Sequence, residues 1–268
     1  MQFVRLLVVR VFSWSFVILF LAVCSDGNSV QDGNIPEVIE PPFSGTAFIA
    51  TDIITSSDTT TFQSVTYVGQ DTRTMYDRRV NNWVDVEAYL FNAEFFDAFT
   101  AEIQVNPEFG DSSSAMDIAK RYGTEIGKLP IVLRKDVETV SIHKGDEPFG
   151  GGNENVLIHT DRAKSYDEGG FLEEILIHEA SHTSLDQDHA SSSGWLAAQE
   201  ADGNFISTYA RDNPEREDIA ESFLVYLTIR YRADRIPESL VNTIKQTIPN
   251  RIDYFDNQSF EISPIEED

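Results

Sequence analysis

The run at residues 171–182, FLEEILIHEASH, constrains this chain more than any other stretch, because it sets His178, Glu179 and His182 in a His-Glu-x-x-His pattern within a segment that reads as an amphipathic helix. Residues four apart lie on one helix face, so His178 and His182 can aim two imidazole nitrogens at a single cation. Glu179, one position along, can then reach a water held beside the cation rather than the cation itself. This is the residue set of metal-assisted hydrolysis, in which zinc lowers the pKa of water and polarises a carbonyl while a carboxylate takes up the proton. The chain has only five histidines, so the pattern is not a by-product of histidine abundance.

A hydrolytic zinc needs a third protein ligand and an open fourth position. Asp188, ten residues after His178 and followed by His189, has metzincin spacing. Against it, Leu185 stands where a glycine would let the chain turn back, and Met1, Met75 and Met116 all precede the motif, so no Met-turn can follow. The other candidate is Glu217, in the segment NPEREDIAESF at 213–223. With the histidine motif, this segment resembles the gluzincin metallopeptidases. Its Glu-x-x-Ala-Glu-x-Phe string and the preceding Tyr209 look like the catalytic region of anthrax-lethal-factor-like peptidases, over roughly residues 136–231. The resemblance implies that Glu217 is the third zinc ligand and that Glu221, one turn on, orients a ligand histidine. It also implies that Tyr209, at a slightly longer spacing from Glu217, lies near the zinc as an electrophile for the oxyanion. A purely structural zinc would instead require a fourth ligand such as Glu221 or His189.

The rest of the chain sorts around this motif. Residues 1–24 read as a signal sequence: Arg5 and Arg10 precede an apolar stretch too short to span a membrane, and Cys24, the only cysteine, stands at its end as at a lipoprotein processing site. The expectation is therefore an exported protein, anchored to a bacterial membrane by a lipid on Cys24, with no disulfide to stabilise it. Residues 25–42, acidic and rich in Gly and Pro, read as a disordered tether. Alternating patterns at 46–50, 64–68, 83–91 and 101–105 predict a β-rich region over 43–110. Residues 111–258 are assigned to a zincin-like catalytic domain and 259–268 to an acidic tail.

Within the catalytic region, helices are expected at 112–126, at 171–182, across 195–210 with Gly203 weakening the middle, and from Asn213-Pro214 to about Tyr231. Two more helical segments open at Pro237 and Pro249. Strands are expected at 138–143 and 156–160, the latter as an edge strand that pairs with substrate backbone. A loop with three glycines, 150–152, joins them. Strands first and helices afterwards is an α+β arrangement.

Forty-five acids against 20 Lys and Arg give a net charge of −25, which repels nucleic acid and excludes it as a partner. Arg73, Arg78 and Arg79 form a local concentration of positive charge, read as pairing with the acidic surface. The function expected is a zinc metallopeptidase acting on peptide or protein substrates. The alternative is a surface lipoprotein that keeps such a fold as a non-catalytic binding module.

Overall fold

In a computed structural model, which describes residues 39–51 and 53–265, strands precede helices as the sequence suggests and together build an α+β architecture. The leader, Cys24 and most of the expected tether lie outside the described residues. The described residues cluster as one compact unit.

A mixed six-stranded sheet runs in the order β1-β2-β3-β4-β6-β5. β1 (Phe62–Asp77) and β2 (Asn82–Phe95) form a long antiparallel hairpin, and β3 (Thr100–Val105) adds antiparallel to β2. β4 (Thr139–His143) and β6 (Asn155–His159) then add in parallel, and β5 (Gly150–Gly152) closes the far edge antiparallel to β6. Since β3 and β4 pair directly, the N-terminal strands and those preceding the motif belong to one sheet. The parallel step needs a crossover, and α1 (Ser112–Ile126) supplies it. Ala115, Ala119, Tyr122 and Ile126 recur at helical spacing and bury that face of α1 against β1, β2 and β3. Its start is capped by Asp111, which accepts from the Ser114 amide at 2.8 Å, one residue before the serines that mark it in the sequence.

After the short helix α2 (Ile131–Arg134) and the strands come α3 (Thr160–Gly169) and α4 (Leu172–Ser184), the helix that carries the histidine motif. Then follow α5 (Ser193–Asp202), α6 (Thr208–Asp212), α7 (Asp218–Tyr231), α8 (Glu238–Thr247) and α9 (Pro249–Asp256). α7 is buried from Asp218 to Ile229, which is why its sequence is apolar all round, and it packs against α4, α8 and α9. Each fully buried Leu, Ile, Val or Phe on these helices contributes roughly 1.5–3 kcal/mol, so the face α4 shares with α7 is held rigidly.

Several sequence expectations are corrected. Residues 46–50 form no strand; this segment instead lies against the helices, with the Ile49 and Ala50 amides donating to the buried Glu174 carboxylate at 2.9 and 3.1 Å. The helix expected across 195–210 stops at Gly203, which takes a left-handed C-cap (φ 62°), and the chain restarts at α6. The helix expected from Asn213-Pro214 begins only at Asp218, with Glu217 at the N-cap. β6 is not an edge strand: β4 and β5 flank it, and the glycines that the sequence presents as a loop form the edge.

Candidate metal centre

Three side chains converge beneath the sheet edge. His178 and His182 project from one face of α4, and Glu217 reaches them from the start of α7. His182 Nε2 lies 3.2 Å from His178 Nε2 and 3.1 Å from Glu217 Oε2, and His178 Nε2 lies 3.4 Å from Glu217 Oε2. All three residues are buried. Among the described residues this is the only cluster of three or more His, Cys, Asp or Glu with ligand atoms within 4.8 Å of one another.

Carboxylates face the opposite ring nitrogens, hydrogen-bonded at His182 and in charge contact at His178. His182 Nδ1 is 2.8 Å from Asp186 Oδ2, and His178 Nδ1 is 3.4 Å from Glu221 Oε1. A carboxylate can only accept, so these partners favour a proton on Nδ1, which leaves Nε2 as the ligating atom once a metal is bound. Two imidazole Nε2 atoms and a carboxylate oxygen therefore face a common point, an arrangement that a cation suits. The separations suit one. Ligand atoms each about 2.0–2.1 Å from a tetrahedral zinc stand roughly 3.3 Å apart, which the observed edges bracket. Without a metal, a proton is the available cation. Burial lowers the His182 pKa, but the bonds to Asp186 and Glu217 outweigh burial and push it up to about 10. In Glu217, burial raises the pKa, yet the two histidines overcome it and hold the carboxyl well below the usual carboxylate range.

The surrounding elements fix these groups. Glu221, fully buried, accepts the Ala47 amide at 2.7 Å on its other oxygen, so the 43–50 segment braces the carboxylate that faces His178. Asp218, next to Glu217, is held by Arg251 Nε at 2.8 Å and Gln199 Nε2 at 2.9 Å. Arg251 also bonds Asp202, and all three ions of this group are fully buried, which pins the start of α7 against α5 and α9. The Tyr209 hydroxyl donates to Glu217 Oε1 at 3.1 Å, and the residue is 37% exposed, so it stands at the open side of the cluster. Burial and the Glu217 charge raise the Tyr209 pKa. Glu179 is half-buried, and its carboxylate makes no hydrogen bond or ion pair among the described residues.

The edge strand is built into the same site. A Cβ on Gly151 would fall 1.8 Å from the Glu179 carbonyl oxygen, so only glycine lets β5 lie this close to α4. Thr183 locks the contact: its hydroxyl receives the Gly152 amide at 2.9 Å and donates to the Asn155 carbonyl at 2.9 Å.

Two of these groups differ from the role that the sequence favours. In the sequence, the i+4 spacing of Asp186 from His182 allows either a hydrogen bond or a helix-end cap, with the cap favoured; the structure shows the hydrogen bond to His182. Gly151 reads as loop because a packing glycine and a flexible one are indistinguishable without the helix it faces. The rival ligands are elsewhere. Asp188 is exposed, and His189 Nδ1 bonds the Tyr254 hydroxyl at 2.7 Å. Glu221 faces the far nitrogen of His178, so neither fourth ligand that a structural zinc would need joins the three. No family model, no curated protein and no solved structure matches this chain.

The fold and cluster thus define an α+β protein with a buried His₂Glu site suited to a divalent metal.

Proposed function

We propose that the chain is a zinc-dependent metallopeptidase of gluzincin type with a zincin-like fold. The observation that carries this reading is the convergence of two imidazole Nε2 atoms and the Glu217 carboxylate on one point, with no fourth protein ligand among the described residues. His178, His182 and Glu217 would hold the metal; a zinc there supplies a Lewis acid that acidifies water and polarises a scissile carbonyl. Glu179 accepts the proton from the attacking water and passes it to the leaving amine, a role favoured by its unpaired carboxylate one residue from a ligand. The Tyr209 hydroxyl, at the open side of the site, leaves Glu217 to donate to the oxyanion as charge develops. Asp186 and Glu221 keep the imidazoles in the ligating tautomer. β5 offers its free edge to an extended substrate backbone beside α4.

Metal analysis with hydrolysis of a peptide library tests the reading. The purified protein is expected to hold about one zinc per chain and to cleave peptides. Glu179→Gln should keep the zinc and lose roughly 10²- to 10⁴-fold in rate, the usual worth of a positioned acid or base, whereas Glu217→Gln should lose zinc affinity along with activity. Zinc held firmly by a wild-type protein that cleaves no peptide would replace the peptidase with a binding module.

The same reading includes export and a lipid anchor on Cys24, supported by the apolar leader and the placement of the lone cysteine. Native protein should then partition with membranes, and Cys24→Ser should release it; equal partitioning would leave a plain signal peptide.

A further inference from the structure

Three arginines crowd the end of the β1–β2 hairpin, and two of them are neutralised. Arg73 pairs with Asp71 and Glu102, and Arg79 with Asp77 and Glu108. Arg78 has no ion pair among the described residues, although its Nε is buried and without a hydrogen-bond partner. In a chain with 45 acids against 20 bases, a half-buried arginine left unpaired needs a reason. Its guanidinium lies over the edge strand: a Cβ on Gly150 would stand 3.1 Å from Arg78 Nη2.

Arg78 lines a cleft of about 420 Å³ between the hairpin tip and β5. Arg216 lines it from the other side, and no Asp or Glu takes part in the lining. Arg216 is 74% exposed at its side chain, and its one ion pair among the described residues is to the metal-cluster residue Glu217, 3.2 Å away. The cleft therefore reaches from the hairpin to the edge of the candidate metal site. Tyr76 and Trp83 form its outer wall, packed edge to face at 5.4 Å with the Tyr76 hydroxyl fixed on Asn81. Trp83 remains 52% exposed, a rigid apolar surface beside two cations.

We propose that this cleft is a specificity pocket for an acidic side chain, so that the enzyme selects extended peptides carrying Asp or Glu close to the scissile bond, with Arg78 as the principal contact and Arg216 as the second. The inference rests on the metallopeptidase reading for the direction of the peptide along β5, but the pocket itself stands on the arginines. A planar guanidinium with an unused donor matches a carboxylate in two-point geometry. The chain's negative surface repels acidic peptides generally, so a local positive cleft beside the site confines their binding to one place.

The test is equilibrium binding of labelled peptides to the full-length Glu179→Gln protein, which leaves them intact. Three peptides of one sequence are compared: a central Glu with both ends blocked, Gln in its place with both ends blocked, and the Gln peptide with a free C-terminal carboxylate. The Glu peptide should bind about 10- to 100-fold more tightly than the blocked Gln peptide, as a charge-assisted pair implies. Arg78→Gln should reduce that preference to about 2-fold, Arg78→Lys should retain part of it, and Arg216→Gln should have a smaller effect. Raising salt from 0.05 to 0.5 M should shrink the preference several-fold. Equal affinity for the two blocked peptides, no binding of the Glu peptide, or an unchanged preference in folded Arg78→Gln overturns the pocket; the peptide comparison and salt series still decide should that variant not fold. Tighter binding only of the peptide with the free end overturns it in favour of C-terminal recognition. An Arg78-dependent preference in a protein whose wild type cleaves nothing keeps the pocket and removes the peptidase, so the two failures are distinct.

Discussion

The chain buries two pairs of histidines at similar ring separations and gives them opposite character. His178 and His182, 4.8 Å apart between ring centres, sit four residues apart on α4; His143 and His159, 5.5 Å apart and stacked, sit opposite one another in register on the parallel strands β4 and β6. On the helix, carboxylates occupy the outer nitrogens and Glu217 joins the inner ones, and His182 is pushed up to about 10. On the strands the outer nitrogens meet amide groups: His143 Nδ1 is 3.0 Å from Asn106 Nδ2, and His159 Nδ1 is 3.0 Å from the Lys144 carbonyl. Burial there pushes His143 down to about 4, with the Asp77 charge only partly opposing it. A pair of imidazoles is thus not a metal site in itself. The anionic partners make it a candidate for one, by facing the outer nitrogens and adding the third donor.

The largest effect expected is the loss of metal from one pair and not the other. His178→Ala or His182→Ala should reduce metal content from about one per chain to near zero, whereas His143→Ala should leave it unchanged and cost only folding stability. Metal analysis of purified variants decides it, and metal retained in His178→Ala would erase the distinction. The next effect isolates the carboxylates. Asp186→Asn and Glu221→Gln keep every ligand and alter only what the outer nitrogens face, so each should weaken metal affinity roughly 10- to 100-fold in competition with a chelator. Unchanged affinity in both would mean that the histidines alone set the site.

What the sequence made legible follows the same division. The α4 pair was readable because an i, i+4 spacing is a local property that survives without knowledge of the fold, and Glu217 was reachable only through the resemblance of its helix to known metallopeptidases. The strand pair was not readable as a pair: His143 and His159 meet because β4 and β6 are in register, a tertiary fact. The α1 stripe and the proline-opened helices α8 and α9 were visible for the same local reason. α3 was missed because its ten residues are almost wholly polar, with Ala163 alone buried, and so lack apolar periodicity. β5 was missed because three glycines carry no strand propensity; its backbone is held by β6 and by the close face of α4.

The smallest effect concerns the strand pair, and it has a definite sign. His143 is neutral in the fold with its pKa pushed down to about 4, while the unfolded ring titrates near 6.5. Between those values the unfolded chain binds the extra proton, so this contribution to stability is fully present above 6.5 and is lost as pH falls toward 4. The wild-type profile alone would not reveal it. Glu174, pushed up to about 7 by burial that the Ile49 and Ala50 amides only partly oppose, works in the opposite direction, since its folded form takes the proton first and gains stability as pH falls from 7 toward 4.5. His143→Gln keeps Glu174 and the metal cluster and removes only the titrating ring, so the difference between the two proteins isolates His143. Urea unfolding of both chains, metal-free, should show wild type losing roughly 1–2 kcal/mol relative to His143→Gln between pH 7.5 and pH 5. Parallel stability curves would mean that His143 takes its proton within the fold, and the contrast between the two pairs would then rest on the metal alone.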